Sequence, residues 1–366
     1  MKRFFSNRVT WVVAASLFMV VVVGAVAWSR FAPEEESYDP AAASAALDGI
    51  PDDVRSDLAD ELAEQEASEA SIPDDDDDDH EPFELPSTRN PNTVSPPLPD
   101  EMFDTTLLIG TDASRHRADA IMYVLEPRDG SAPIVVSIPR DLFVENPCTR
   151  TYARINATLR GCGDVVAGPA LLSLAVERFT GIKVDRFVML DFDGFERVID
   201  AIGGVDVCFD HPTRDRDAEL DVPAGCQRLD GATALAFARS RKTLEFRDGA
   251  WRGTGADDFS RQEHQQELLF AVTDRISSFS SMTRLTRIAD ATSDAVRLSQ
   301  GFTVTQGVAK AWEHRSLRLD DVDRIRLETK PHVTSYGAYV LEPTASFNEL
   351  LARIRPDAAR EVVAAR

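Results

Sequence analysis

The sequence predicts an α/β domain with one layered core. Two observations carry that expectation. From residue 105 onward, short runs rich in Val, Ile and Phe alternate with segments of helical periodicity. Capping residues and glycines bracket several of those helical segments. Strands alternating with helices give an α/β layered arrangement, and no internal repeat points to a solenoid.

The first segment of the 366-residue chain is different in kind. Residues 10–28, TWVVAASLFMVVVVGAVAW, are almost wholly apolar. About 19 such residues are long enough to cross a bilayer. Lys2, Arg3 and Arg8 precede them, so the positive-inside rule predicts a cytoplasmic tail at 1–8, an anchor at 9–29 and everything beyond outside the membrane. Ala25-Val26-Ala27 also resembles a signal-peptidase site. Both readings export residues 30–366.

Residues 30–104 read as a spacer. Positions 34–104 hold 24 of the 62 acidic residues but only Arg55 and Arg89 of the 40 basic ones. This segment alone therefore carries a charge equal to the whole chain's −22. It includes the run Asp74–Asp79 and a Pro-rich tail. Such a composition cannot bury enough apolar surface to offset its ordering entropy, and self-repulsion extends it. Val54, Leu58 and Leu62 suggest at most one short helix. The aspartate run lacks the glycine and spacing of a calcium loop.

What remains, 105–355 with a tail at 356–366, is electrically balanced. At roughly 260 residues it is large enough for a substantial core. Strands are predicted at 105–110, 120–126, 132–139, 185–192 and 205–210. Helices are predicted at 168–180, at 193–202 with Asp193 as the cap, and at 230–239, 258–278, 302–315 and 344–354.

Four cysteines, Cys148, Cys162, Cys208 and Cys226, fall as two sequence-local pairs. Cys148–Cys162 and Cys208–Cys226 are each compatible with a disulfide in an oxidising compartment, although four cysteines allow three pairings. No CxxC and no histidines at ligand spacing support zinc.

Polar residues at strand ends and helix exits are where open α/β sheets bind ligands. Asp112 follows the first predicted strand. Arg117 and Asp119 precede the second. Arg140 and Asp141 follow the third. In ALAFARSRKTLEF (234–246), Arg239, Arg241 and Lys242 leave a helix. Residues two apart share a side only on extended backbone, so Arg239 and Arg241 converge if the helix ends near Ser240. Arg261 and Gln265 are four apart and share a helix face. Paired guanidiniums suit a multiply charged phosphate. There is no GxSxG and no Walker lysine loop. Carboxylates with arginines instead suit a phosphate ester held with magnesium, which takes one or two carboxylates, substrate phosphates and waters. No DNA-binding motif is present, so nucleic acid is not an expected partner.

The blocks LLIGTD, RADAIMYV, VVSIPRDLFV, RINATL, DRFVMLDFDGFERVIDAIGGVDV, LDGATALAFARSRK and FSRQEHQQELL, in this order from about 105 to 275, resemble the LytR-CpsA-Psr family of bacterial wall-polymer ligases. The resemblance implies a central mixed β-sheet flanked by helices, with a hydrophobic cavity for a prenyl chain. It implies transfer of a glycopolymer from a polyprenyl-pyrophosphate carrier to peptidoglycan through a phosphodiester. Carried over by motif, Asp112 and Asp119 would hold Mg²⁺, with Mn²⁺ as a substitute. Arg117, Arg140, Arg239, Arg241 and Arg261 would contact the pyrophosphate with help from Gln265, and Asp119 would be the base for the acceptor hydroxyl. The short connection between Asp112 and Asp119 and the insertion TLEFRDGAWRGTGADD depart from the family pattern and bear on substrate identity.

Overall fold

A computed structural model describes residues 39–70, 95, 97–99, 101–112, 114–254, 258–279, 288, 296–299, 302, 322–335 and 337–356. The expected anchor, the aspartate run and nearly all of the expected helix at 302–315 lie outside these residues. Among the described residues, no helix is long and apolar enough to cross a membrane.

The core is a six-stranded mixed sheet. Its strands are β1 (Phe103–Thr111), β2 (Ala118–Pro127), β3 (Ile134–Ile138), β6 (Arg186–Asp191), β13 (Val296–Leu298) and β14 (Asp323–Arg326), in the order β13-β6-β1-β2-β3-β14. β1 and β6 run parallel, as do β3 and β14, while β1–β2, β2–β3 and β6–β13 are antiparallel. The five strands predicted from Val, Ile and Phe content are all present. The short hairpin of β4 (Phe143–Glu145) and β5 (Tyr152–Arg154), and those formed by β8 (Thr213–Asp215) with β9 (Leu220–Val222) and by β11 (Leu244–Arg247) with β12 (Ala250–Gly253), were not expected.

Strand alternation divides the core in two. On one face Leu108, Val124, Val135 and Val188 pack with residues of three helices, α4 (Phe192–Ile202), α5 (Gly231–Arg239) and α6 (Asp258–Ser277). On the other, Leu107, Ile109, Tyr123, Val136 and Phe187 pack against α3 (Gly168–Thr180) and α7 (Phe347–Ile354). The cap of α4 is Asp191, which accepts from the Gly194 N–H at 2.7 Å. Asp193, the expected cap, sits one step inside the first turn, where an acidic side chain still complements the helix dipole. α5 can lie close on α4 because Gly231 has no side chain: a Cβ there would come within 2.4 Å of the Glu196 carbonyl oxygen.

The expected spacer differs most from the structure. Residues 39–70 form two helices, α1 (Pro40–Asp48) and α2 (Asp52–Ala70). Asp39 caps α1 by accepting from the Ala41 and Ala42 N–H groups, with Pro40 at the first helical position. Leu47 and Ile50 are buried against Leu171, Leu174 and the Cys148–Cys162 disulfide. Arg55, 5% exposed, donates to the Cys148 and Leu47 carbonyl oxygens. A few well-placed side chains thus dock a segment whose composition reads as solvated. The second disulfide, Cys208–Cys226, joins residues directly opposite in the ladder of β7 (Val205–Phe209) and β10 (Gly225–Leu229).

Candidate active site

A cavity of about 970 Å³ opens on the α4–α5–α6 face of the sheet. Its inner wall is apolar, with Leu108, Met122, Val188, Leu190, Leu268 and Val272. Asp112, Asp119, Arg140, Arg239, Arg241, Arg261 and Gln265 share the same lining. These residues come from five places in the sequence, and the fold delivers them to one opening.

A β-bulge delivers Asp119. Gly110 pairs with Ala120 and Thr111 with Ala118, so Asp119 is an extra residue in β2. By simple alternation it would follow Ile121 into the opposite core. The extra residue re-aims it, and Asp119 and Ala120 both line the cavity. Gly110 and Ala120 also keep the floor low: a Cβ on Gly110 would lie 3.1 Å from that of Ala120. Asp112 stands at the end of β1 and accepts from the Ser114 hydroxyl at 2.6 Å and the Arg115 N–H at 3.0 Å.

Arg140 donates to Asp119 at 2.9 Å and lies 3.4 Å from Asp141. Arg117 is not in the cavity lining. It stands in a group with Arg160, Arg154 and Arg140, and burial together with their repulsion lowers its pKa, against the opposing pull of Asp119.

The Arg239–Lys242 turn has its own anchor. α5 ends at Arg239, and Ser240 is extended, with φ −64° and ψ 127°. This is the geometry that lets Arg239 and Arg241 address one target. Asp215, 2% exposed, accepts from the Ser240 hydroxyl at 2.8 Å and from the Arg241 and Lys242 N–H groups at 2.9 and 2.8 Å. Burial raises the Asp215 pKa, but the Ser240 hydroxyl and the N–H groups of Lys242, Ala218 and Arg241 outweigh it and hold the carboxylate below its ordinary value. Arg239 lies 5.0 Å from the Phe192 ring centre, a cation–π contact that orients an exposed guanidinium. The Gln265 amide donates to the Ala238 carbonyl oxygen at 3.3 Å, tying α6 to the end of α5. Arg261 is 4% exposed. His264 stacks on Phe237 with ring centres 4.3 Å apart, and burial lowers its pKa.

Asp215 was not among the residues singled out from the sequence. It sits in RDRDAEL, a charged stretch that reads as a surface turn. Nothing local shows that three donors from residues 240–242 converge on it.

The LytR_cpsA_psr family model matches residues 65–353. The chain belongs to that family. It is 32% identical over 240 residues to the probable cell wall biosynthesis protein LcpB of Corynebacterium glutamicum, covering 66% of this chain and 52% of that one. It is 30% identical over 246 residues to the polyisoprenyl-teichoic acid–peptidoglycan teichoic acid transferase TagV of Bacillus subtilis, covering 64% of this chain and 58% of the relative. The matches thus span little more than half the length of these relatives. The crystal structure of Bacillus subtilis TagV superposes with a TM-score of 0.56 at 26% identity, over 72% of this chain and 98% of that structure. A LytR-Csp2A-Psr enzyme from Actinomyces oris shares the fold, with a TM-score of 0.55 at 24% identity over 75% and 92% of the two chains.

Proposed function

We propose that this LytR-CpsA-Psr protein is a phosphotransferase that moves a glycopolymer from a polyprenyl-pyrophosphate carrier onto peptidoglycan. One observation carries the reading: a single cavity combines a long apolar wall with the guanidiniums of Arg140, Arg239, Arg241 and Arg261. An apolar chain ending in a diphosphate is the ligand class that uses both. TagV, similar over most of the folded region, is named for transfer of a polyisoprenyl-linked teichoic acid to peptidoglycan.

In this mechanism the prenyl chain lies along the wall formed by Leu108, Val188 and Leu268, and the diphosphate meets the arginines. An acceptor hydroxyl of peptidoglycan attacks the phosphorus that bears the glycopolymer. A new P–O bond forms, the bridging P–O bond breaks, and polyprenyl phosphate leaves. Asp119 takes the hydroxyl proton, and its contact with Arg140 at 2.9 Å holds the carboxylate in place to do so. The arginines stabilise the charge that builds on the departing phosphate.

The residues present fit Mg²⁺, or Mn²⁺ in its place. Asp112 and Asp119 line the same cavity. Among the described residues no cluster of three or more His, Cys, Asp or Glu forms a metal cage, and magnesium needs only one or two carboxylates with phosphate oxygens and water. When bound, the ion would neutralise diphosphate charge.

The location follows the same reading. The apolar run 10–28 anchors the chain in the cell membrane with the N-terminus cytoplasmic, and the domain works outside. Two disulfides, with no free cysteine among the described residues, suit that compartment.

The test incubates the full chain with a lipid-linked oligosaccharide, peptidoglycan and Mg²⁺. Covalent attachment of the oligosaccharide through a phosphodiester is expected. Release of phosphate without attachment would replace the reading with a lipid-pyrophosphate hydrolase. Binding with neither would make the protein a lipid-phosphate-binding regulatory module.

A further inference from the structure

A line of charges runs from the N-terminal helices to the cavity. Glu66 belongs to α2, most of which precedes the segment that matches the family model. It is 1% exposed. Its carboxylate accepts from the Arg154 backbone N–H at 3.2 Å and from the Arg154 guanidinium at 3.4 Å. Arg154 stands 3.9 Å from Asp141, on the oxygen that Arg140 does not use. Arg140 lies 3.4 Å from the other Asp141 oxygen and donates to Asp119 at 2.9 Å. A backbone route runs beside the charges: the Asn156 N–H, two residues beyond Arg154, donates to the Arg140 carbonyl oxygen at 3.1 Å.

The distances show how the line works. Asp141 lies between two arginines and is contested by both. Opposite charges a few ångströms apart and out of bulk water attract strongly. With no anion behind it, Arg154 would close on Asp141 and draw that carboxylate away from Arg140. Glu66 supplies that anion and holds Arg154 at the long end of ion-pair distance, so Asp141 stays available to Arg140. A buried carboxylate costs desolvation and persists where its partners satisfy it; here the satisfied partner is the neighbour of a cavity residue.

We propose that Glu66 is a positioning residue for the cavity, setting the orientation of Arg140 through Arg154 and Asp141. The docked helix α2 is then a working part of the site and not a passive spacer. The inference deepens the reading of the cavity as a diphosphate site, and one of its two readouts does not depend on that reading.

The first readout is the Arg140 Nε–Hε resonance of the full chain carrying ¹⁵N-arginine, assigned by its loss in Arg140→Lys. Glu66→Gln should move it, and Glu66→Gln combined with Arg154→Gln should return it, because Asp141 is then uncontested. Asp48→Asn, which removes the exposed Asp48–Arg150 pair between α1 and the domain, should leave it in place. An unmoved resonance in Glu66→Gln, or no return in the double variant, overturns the proposal. If Glu66→Gln does not fold, Glu66→Asp keeps the charge, shortens its reach to Arg154 and is read the same way.

The second readout is affinity for farnesyl pyrophosphate. Glu66→Gln should weaken it roughly 3- to 30-fold, the range for residues coupled to a site without touching its ligand. The double variant should recover most of the loss. Absence of binding by the unaltered chain would sink the diphosphate reading alone, and the Arg140 resonance would still decide the role of Glu66.

Discussion

The two faces of the central sheet are built from the same strands and do different work. The face toward α3 and α7 is filled: Leu107, Tyr123, Leu125, Ile134, Val136 and Phe187 are all at most 1% exposed. The face toward α4, α5 and α6 is equally apolar but leaves a cavity of about 970 Å³. Hydrophobicity therefore does not separate a stabilising layer from a binding layer. What separates them is side-chain size at the strand ends and the charged groups placed there. Gly110 and Ala120 leave space where the filled face has Ile109 and Ile121. The bulge at Asp119 turns a carboxylate into that space. The filled face should answer to changes in volume, and the open face to changes in charge.

The largest expected effect tests the filled face. Phe187→Ala removes a ring that is 1% exposed in the tightly packed layer. It should cost about 3–5 kcal/mol of unfolding free energy, the usual range for such a deletion. Urea denaturation monitored by tryptophan fluorescence measures it. A loss below about 1 kcal/mol would mean that this layer relaxes around the gap and is not the rigid side of the sheet.

Next in size is the open face. Arg239→Ala and Arg241→Ala should each raise the barrier to transfer by about 2–4 kcal/mol, a rate loss of roughly 30- to 1,000-fold. The urea midpoint should stay near that of the unaltered chain, since both guanidiniums border the cavity and not the packed layer. Near-normal turnover in both variants would remove the arginines from the chemistry. A collapse of stability would erase the contrast between the faces.

The two faces were not equally legible in the sequence. The filled face follows from short apolar, β-prone runs such as TTLLIG and DRFVML, which read as strands without any partner in view. The convergence of Arg239 and Arg241 was legible too, because two arginines flanking a single residue at a helix exit can meet only if that residue is extended. The bulge was not legible: a one-residue register change leaves no mark in ADAIMYV and appears only when Gly110 and Ala120 are seen paired. Asp215 was hidden for a related reason, since its three donors lie 25–27 residues away. The docking of α1 and α2 rests on Leu47, Ile50, Arg55 and Glu66, single residues within an acidic, alanine-rich segment. Net charge describes the average solvation of such a segment and says nothing of four side chains that find partners.

The smallest expected effect concerns Asp215, which joins the open face to the fold beneath it. Its carboxylate is held below its ordinary pKa, so the folded state binds the proton less readily than the unfolded chain. The sign follows from linkage. The contribution of Asp215 is fully present above the unfolded value of about 3.9 and is lost as pH falls through the lower folded value. Asp215→Asn should cost about 1–3 kcal/mol near neutral pH, as expected when a buried charged acceptor of several hydrogen bonds is replaced. The gap between the variant and the unaltered chain should narrow below about pH 4, where protonation takes from the unaltered chain the charge that the variant already lacks. Urea titrations at pH 7 and at several values below 4 measure the gap. A gap constant across that range would mean that shape, and not ionisation, lets Asp215 hold the Arg241 turn, and that the open face has a polar but uncharged foundation.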